Sequence, residues 1–137
     1  KFFVKKLKFK PKIGLLVLNP HNDELRKNSE EKKIIIPVIK KLKKKKIFVH
    51  GPLPGDTAFV NTRKDKFDII VGMYHDQVLS PFKALYKFNA INITLGLPYI
   101  RISPDHGIGR NIIKKNIANP KSLLEAIKFF KNTNVRA

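Results

Sequence analysis

The segment Gly72-Met-Tyr-His-Asp-Gln77, followed by Lys83, Asn92 and Arg101, gathers an imidazole, a carboxylate, an ammonium, an amide and a guanidinium within about thirty residues. Imidazole and carboxylate suit a divalent metal, while Lys and Arg suit phosphate or carboxylate groups. Together they could hold an anionic substrate beside a divalent cation, which is the chemistry of an enzyme. Asp76 adjoins His75, and a neighbouring carboxylate can orient an imidazole or fix its tautomer. A second histidine, His21 in Asn19-Pro-His-Asn-Asp23, also ends an apolar run. Alone it could merely satisfy a turn; with His75 at a corresponding strand end, it points to a shared metal. His50 precedes Gly-Pro with no acidic neighbour and reads as a turn residue. His106, in Asp105-His-Gly107, could contact a cofactor or cap a helix. Lys83 could be one more surface lysine among 24, whereas Arg101 is one of only five arginines and follows an apolar strand, which favours anion binding.

The elements that must position these groups alternate between strand and helix. Residues 13–18 form a continuous apolar run ending in Asn19-Pro20, as a buried strand delivering a loop does. Ser29, Glu30 and Glu31 open a helix expected to run toward Lys45 and to kink at Pro37. A short strand is expected over 47–49, a short helix over 55–60 and a second buried strand over 68–72 that delivers Tyr74, His75 and Asp76. A helix over 80–88 would hold Pro81 in its first turn. Strands are expected over 90–95 and 99–102, and closing helices over 105–115 and 122–132. The pattern is α/β with a mostly parallel central sheet, in which ligands gather at the carboxyl ends of strands.

At 137 residues, 42% of them hydrophobic, the chain can fill one core of ordinary size. It has no cysteine, so disulfides are excluded. Its apolar runs are far shorter than a membrane span, and the first twelve residues are apolar only in fragments, unlike a secretory signal. A soluble, cytoplasmic protein is expected. The chain opens on Lys1-Phe-Phe-Val-Lys-Lys-Leu7, as if closing a helix begun upstream, and is expected to be the C-terminal part of a longer protein.

The formal charge of +19 raises nucleic acid as a partner. A compositional origin competes with it, because Lys, Ile, Asn and Phe are all abundant and all have AT-rich codons. The run Lys40-Lys-Leu-Lys-Lys-Lys-Lys46 follows an apolar helical face and reads as a solvated helix end, where cations also suit the macrodipole. No nucleic-acid recognition motif accompanies the charge.

Five motifs occur in order: Leu18-Asn-Pro-His21, Gly51-Pro-Leu-Pro-Gly-Asp-Thr57, Met73-Tyr-His-Asp-Gln77, Asn92-Ile-Thr-Leu-Gly-Leu-Pro-Tyr-Ile-Arg101 and Asp105-His-Gly107. From about Lys10 onward the chain resembles the C-terminal part of the 4-hydroxythreonine-4-phosphate dehydrogenase family of pyridoxal phosphate biosynthesis. The resemblance implies the isopropylmalate-dehydrogenase-like three-layer α/β fold and a homodimer with its active site at the interface. It implies a substrate, metal and dimerisation part over 1–104 and C-terminal helices over 105–137 returning toward a cofactor-binding domain.

By the same resemblance, His21 and His75 match two of three metal-binding histidines, the third lying upstream. Lys83, Asn92 and Arg101 match substrate-binding residues, and His75 with Asp76 stands at the catalytic centre. Asp105, His106, Gly107 and Asn119 fall in segments similar to the cofactor segment of the β-decarboxylating dehydrogenases. The implied cofactors are NAD or NADP and a divalent metal (Zn, Mg, Co or Mn). The implied reaction is oxidation and decarboxylation of 4-phosphooxy-L-threonine to 3-amino-2-oxopropyl phosphate. The chain departs from the family at Asn22-Asp-Glu-Leu-Arg26, where a Gly-rich loop is usual, and at Gly107-Ile-Gly-Arg-Asn111, where Gly-Thr-Ala is commoner. Three other readings stand beside this one: a dehydrogenase of four-carbon sugar-acid phosphates such as threonate or erythronate 4-phosphate, a basic nucleic-acid-binding module, and a segment inactive without the residues upstream.

Overall fold

The computed structural model of the chain describes residues 9–21, 27–60 and 67–132. The family departure at 22–26 and the apolar opening at 1–7 lie outside them. The described residues form two compact units by their contacts, which part between Pro81 and Phe82.

The first unit is built on a parallel sheet of β1 (Ile13–Leu16), β2 (Val49–Leu53) and β3 (Ile69–Val71), in the order β2-β1-β3. β1 sits in the middle, and this position explains its unbroken apolar run: Leu16 and Val17 are fully buried. β2 begins at Val49, where the strand expected over 47–49 was to end, and continues through His50-Gly51-Pro52 to Leu53. The register against β1 is irregular between Gly14 and Leu16. Gly51 faces this region with φ +143°, and a Cβ built there would strike the Leu15 carbonyl oxygen, so glycine allows the close approach.

The helix after β1 covers the sheet. Its first turns, Glu31–Ile35, are π-helical and run into α1 (Ile36–Lys44). Pro37 lies in the first turn of α1, and the Ile36 N–H reaches back to the Glu31 carbonyl, five residues earlier. The break expected at Pro37 thus takes the form of a widened turn just ahead of it, where the missing proline N–H does least harm. Ile35 and Ile39 bury one face against Val49, with Ile13, Leu15, Leu42 and Met73 packed around them. Burying such side chains contributes roughly 1.5–3 kcal/mol each. Lys40, Lys41 and Lys43 to Lys46 are exposed around the helix end.

Three expected helices differ, the first two as follows. Residues 55–60 form hydrogen-bonded turns, Ala58 N–H to Pro54 O at 3.1 Å and Val60 N–H to Thr57 O at 3.0 Å. The helix expected over 80–88 is α2 (His75–Tyr86), which starts at His75 itself and carries Pro81 in its interior.

In the second unit, β4 (Ile91–Thr94) and β5 (Arg101–Pro104) form an antiparallel ladder separate from the parallel sheet. α3 (Lys121–Asn132) packs against both strands. Ser122 and Ala126 are its buried positions, spaced at i and i+4 as one helical face requires. The Ser122 hydroxyl donates to the Ala90 carbonyl and accepts the Asp105 N–H at 2.7 Å, tying the helix start to both strands.

The helix expected over 105–115 does not form. Only a 3₁₀ turn, Arg110–Ile112, appears there. Gly109, Lys114 and Asn116 all take positive φ, a conformation that a right-handed helix cannot contain. No helix among the described residues is long and apolar enough to cross a membrane.

Candidate functional site

Because β1, β2 and β3 are parallel, the loops that follow them leave the sheet at one edge. The loop after β1 carries His21, the loop after β2 carries Gly55 and Asp56, and the loop after β3 leads into His75 and Asp76. A cavity of about 350 Å³ opens among them, lined by Pro20, Gly55, Asp56, Tyr74, Gln77 and Pro81.

The His21 loop is held from two sides. Asn19 Oδ1 accepts the His21 N–H at 3.0 Å, forming a tight turn around Pro20. Glu31, 1% exposed, accepts the N–H groups of Leu18 at 3.1 Å and Asn19 at 2.7 Å. The Asn19 N–H is the largest influence holding the Glu31 carboxyl below its ordinary value; burial opposes it, and the N–H groups of Glu31 and Leu18 and the Ser29 side chain assist. A buried carboxylate is therefore stabilised by the loop it stabilises.

His75 and Asp76 are both exposed, with His75 Nδ1 2.9 Å from Asp76 Oδ1. With its proton on Nδ1, the ring donates to Asp76 and leaves Nε2 available to a ligand. Among the described residues no three His, Cys, Asp or Glu side chains converge as a metal set. The donor chemistry of His21 and His75 fits a divalent cation, and a full shell there needs ligands from beyond these two.

The second unit holds the remaining candidates. Asn92 lies opposite Ser103 and Thr94 opposite Arg101, so these four share one face of the ladder, while Ile91, Ile93 and Ile102 take the other. Asn92 and Arg101 are exposed, and Arg101 Nη1 donates to Thr94 Oγ1 at 2.9 Å. Lys83 Nζ lies 3.4 Å from Asp105 Oδ1 and 3.5 Å from the Asp105 carbonyl. Asp105 Oδ2 is buried with no hydrogen-bond partner among the described residues.

His106, Gly107 and Asn119 line one cavity of about 820 Å³ together with Phe88, Ile108 and Asn111. His106 Nδ1 lies 3.2 Å from the Gly107 carbonyl, and Asn119 Oδ1 accepts the Lys121 N–H at 2.9 Å at the start of α3. Asp105 does not line this cavity and faces Lys83 instead.

Two helical residues given no site role by sequence reasoning hold the strand-end loops by their side chains. Glu31 stood only as a helix opener. Gln77 stands inside a quoted motif, and its side chain bonds both Met73 N–H and Val17 O.

Fold and loops together define an α/β protein whose candidate site lies at the carboxyl edge of a parallel sheet, where ligands gather in such folds. The chain belongs to the family described as pyridoxal phosphate biosynthetic protein PdxA, whose profile matches residues 2–130. It is 54% identical over 120 residues to 4-hydroxythreonine-4-phosphate dehydrogenase of Sulfurihydrogenibium sp., covering 87% of this chain and 37% of that protein. It is 45% identical over 120 residues to D-threonate 4-phosphate dehydrogenase of Cupriavidus necator, covering 86% of this chain and 36% of that protein. The crystal structure of 4-hydroxythreonine-4-phosphate dehydrogenase from Klebsiella pneumoniae matches with a TM-score of 0.75 at 34% identity, covering 96% of this chain and 40% of that one. The chain thus spans about two fifths of the length of these relatives.

Proposed function

We propose that these residues form the C-terminal part of an NAD- or NADP-dependent 4-hydroxythreonine-4-phosphate dehydrogenase. Its substrate is 4-phosphooxy-L-threonine and its product 3-amino-2-oxopropyl phosphate. The observation that carries this reading is the delivery of His21 and His75 to one edge of a parallel sheet, in a chain that the family profile matches almost end to end.

In the reaction the substrate hydroxyl loses its proton and the carbon bearing it gives hydride to the nicotinamide. The resulting β-keto acid breaks its bond to the carboxylate, releases carbon dioxide and takes up a proton on carbon. A divalent cation held by His21 and His75 would supply Lewis-acid polarisation, and the dinucleotide supplies the hydride acceptor. Asp76 keeps the His75 ring in one tautomer. Arg101 and Lys83 grip the anionic ends of the substrate and Asn92 fixes its orientation. His106, Gly107 and Asn119 serve the dinucleotide, with the cavity they line in support, and the family resemblance groups Asp105 with them although its carboxylate faces Lys83. The protein acts in the cytoplasm as a homodimer with its active site at the interface. Half-exposed Leu123, Leu124 and Ile127 on α3 support a covering surface from the rest of the assembly.

The relative that acts, by its name, on D-threonate 4-phosphate favours a second reading with the same site and a sugar-acid phosphate substrate. One experiment separates them. Reduced-nicotinamide absorbance is followed in the metal-stripped full-length protein with each phosphate ester, before and after a divalent cation is added. Metal-dependent turnover of 4-phosphooxy-L-threonine alone is expected, together with its loss in His75→Ala. Turnover of threonate 4-phosphate alone moves the substrate, and full activity of His75→Ala at saturating metal refutes the ligand assignment.

A further inference from the structure

We propose that Gln77 is a positioning residue whose amide locks together the loops delivering His21 and His75. The inference rests on the reading that those two imidazoles hold a divalent cation.

Gln77 Oε1 accepts the Met73 N–H at 2.8 Å, and Gln77 Nε2 donates to the Val17 carbonyl at 2.7 Å. Met73 lies two residues before His75 and Val17 four before His21, so one side chain joins the two loops across 60 residues of sequence. The third loop closes on the same amide. A Cβ added at Gly55 would lie 3.4 Å from Nε2, and one added at Gly72 would lie 3.3 Å from Oε1 and 2.6 Å from Val78 Cγ1. Gln77 is therefore packed where all three strand ends meet, against two positions that carry no side chain.

The amide is chemically specific. One neighbour is a donor and the other an acceptor, so turning it over would set N–H against N–H and carbonyl against carbonyl. A carboxylate of the same shape still accepts from Met73 but cannot donate to Val17, and it places charge beside a carbonyl. A thioether of similar length makes neither bond. Because Val17 is fully buried, its carbonyl has no easy recourse to water. The spacing of the two imidazoles then depends on a group that touches neither, which is how outer partners tune a metal site.

The test compares wild type, Gln77→Glu, Gln77→Met and His75→Ala in the metal-stripped full-length protein. Co²⁺ alone is titrated and its visible absorption recorded, with far-ultraviolet circular dichroism as a check on folding. Gln77→Glu and Gln77→Met are expected to bind Co²⁺ about 10–100-fold more weakly and to show an altered Co²⁺ spectrum even at saturation. Their circular dichroism should be that of wild type. A change in stability alone would not alter the spectrum of saturated protein. Wild-type affinity and spectrum in either folded variant, with binding lost in His75→Ala, overturns the role of Gln77 and leaves the metal site standing. No Co²⁺ binding by wild type overturns the metal reading and this inference with it.

Discussion

The Glu31 carboxylate accepts the Asn19 backbone N–H at 2.7 Å, so the start of the helix that covers the sheet also grips the loop leading to His21. The pair couples a buried charge to the shape of the strand-end loop. Its pH dependence has a definite sign. The Glu31 carboxyl is depressed in the folded chain, so its contribution is complete above the ordinary value of 4.5 and fades as pH falls through the lower folded value. Glu31→Gln, which keeps one acceptor and removes the charge, should therefore be less stable than wild type at neutral pH by about 1–3 kcal/mol. The gap should narrow on acidification below 4.5. Urea unfolding of both proteins across that range checks this, and a gap that widens toward acid would reverse the assignment.

Ser122 performs a similar task in the second unit. It is fully buried, donates to the Ala90 carbonyl and accepts the Asp105 N–H. Ser122→Ala leaves the buried Ala90 carbonyl and the part-buried Asp105 N–H without this partner, at a cost of about 1–3 kcal/mol for a buried group left unsatisfied. Thermal unfolding should show a clear fall in midpoint, and a midpoint equal to wild type would mean that water or a local shift replaces the hydroxyl.

Neither Glu31 nor Gln77 could have been found by spacing. Glu31 bonds backbone groups 12 and 13 residues away and Gln77 bonds one 60 residues away besides its local bond to Met73, and local periodicity carries no trace of such distant partners. The strands were legible because β1 and β3 are unbroken apolar runs with loop signals after them, and that was enough to bring His21 and His75 to one edge. The start of α2 was misread because proline is commonest in a first turn, whereas Pro81 sits seven residues into the helix. Residues 105–115 misled for the opposite reason. Ile108, Ile112 and Ile113 mimic a helical face, but left-handed residues at 109 and 114 hold the segment open around the larger cavity.

Arg101 stands exposed on the polar face of the β4–β5 ladder, with Nη1 already anchored on Thr94 Oγ1. On the proposed function, a guanidinium so held would be oriented before the substrate arrives, with most of its donors left to bind it. Arg101→Ala should raise the KM for the phosphate ester about 10–100-fold, the equivalent of one or two charge-assisted hydrogen bonds. Arg101→Lys should recover only part of this, because a point charge cannot reproduce the planar fork. Steady-state kinetics on the full-length protein decides it: an unchanged KM in Arg101→Ala removes Arg101 from the substrate site.

Asp105 faces Lys83 at 3.4 Å and does not line the cavity shared by His106, Gly107 and Asn119. A role in placing the Lys83 ammonium follows more directly from this geometry than contact with the dinucleotide, which the family resemblance implies. Lys83 is 45% exposed, so the ion pair itself adds at most about 1 kcal/mol to stability, and Asp105→Asn should unfold near the wild-type midpoint. Its kinetic effect separates the two roles. Freed from its partner, Lys83 loses a fixed position, and the KM for the phosphate ester should rise several-fold while the KM for NAD or NADP stays constant. The opposite pattern, a raised dinucleotide KM with the ester unaffected, would place Asp105 with the cofactor and leave the Lys83 contact as a surface ion pair.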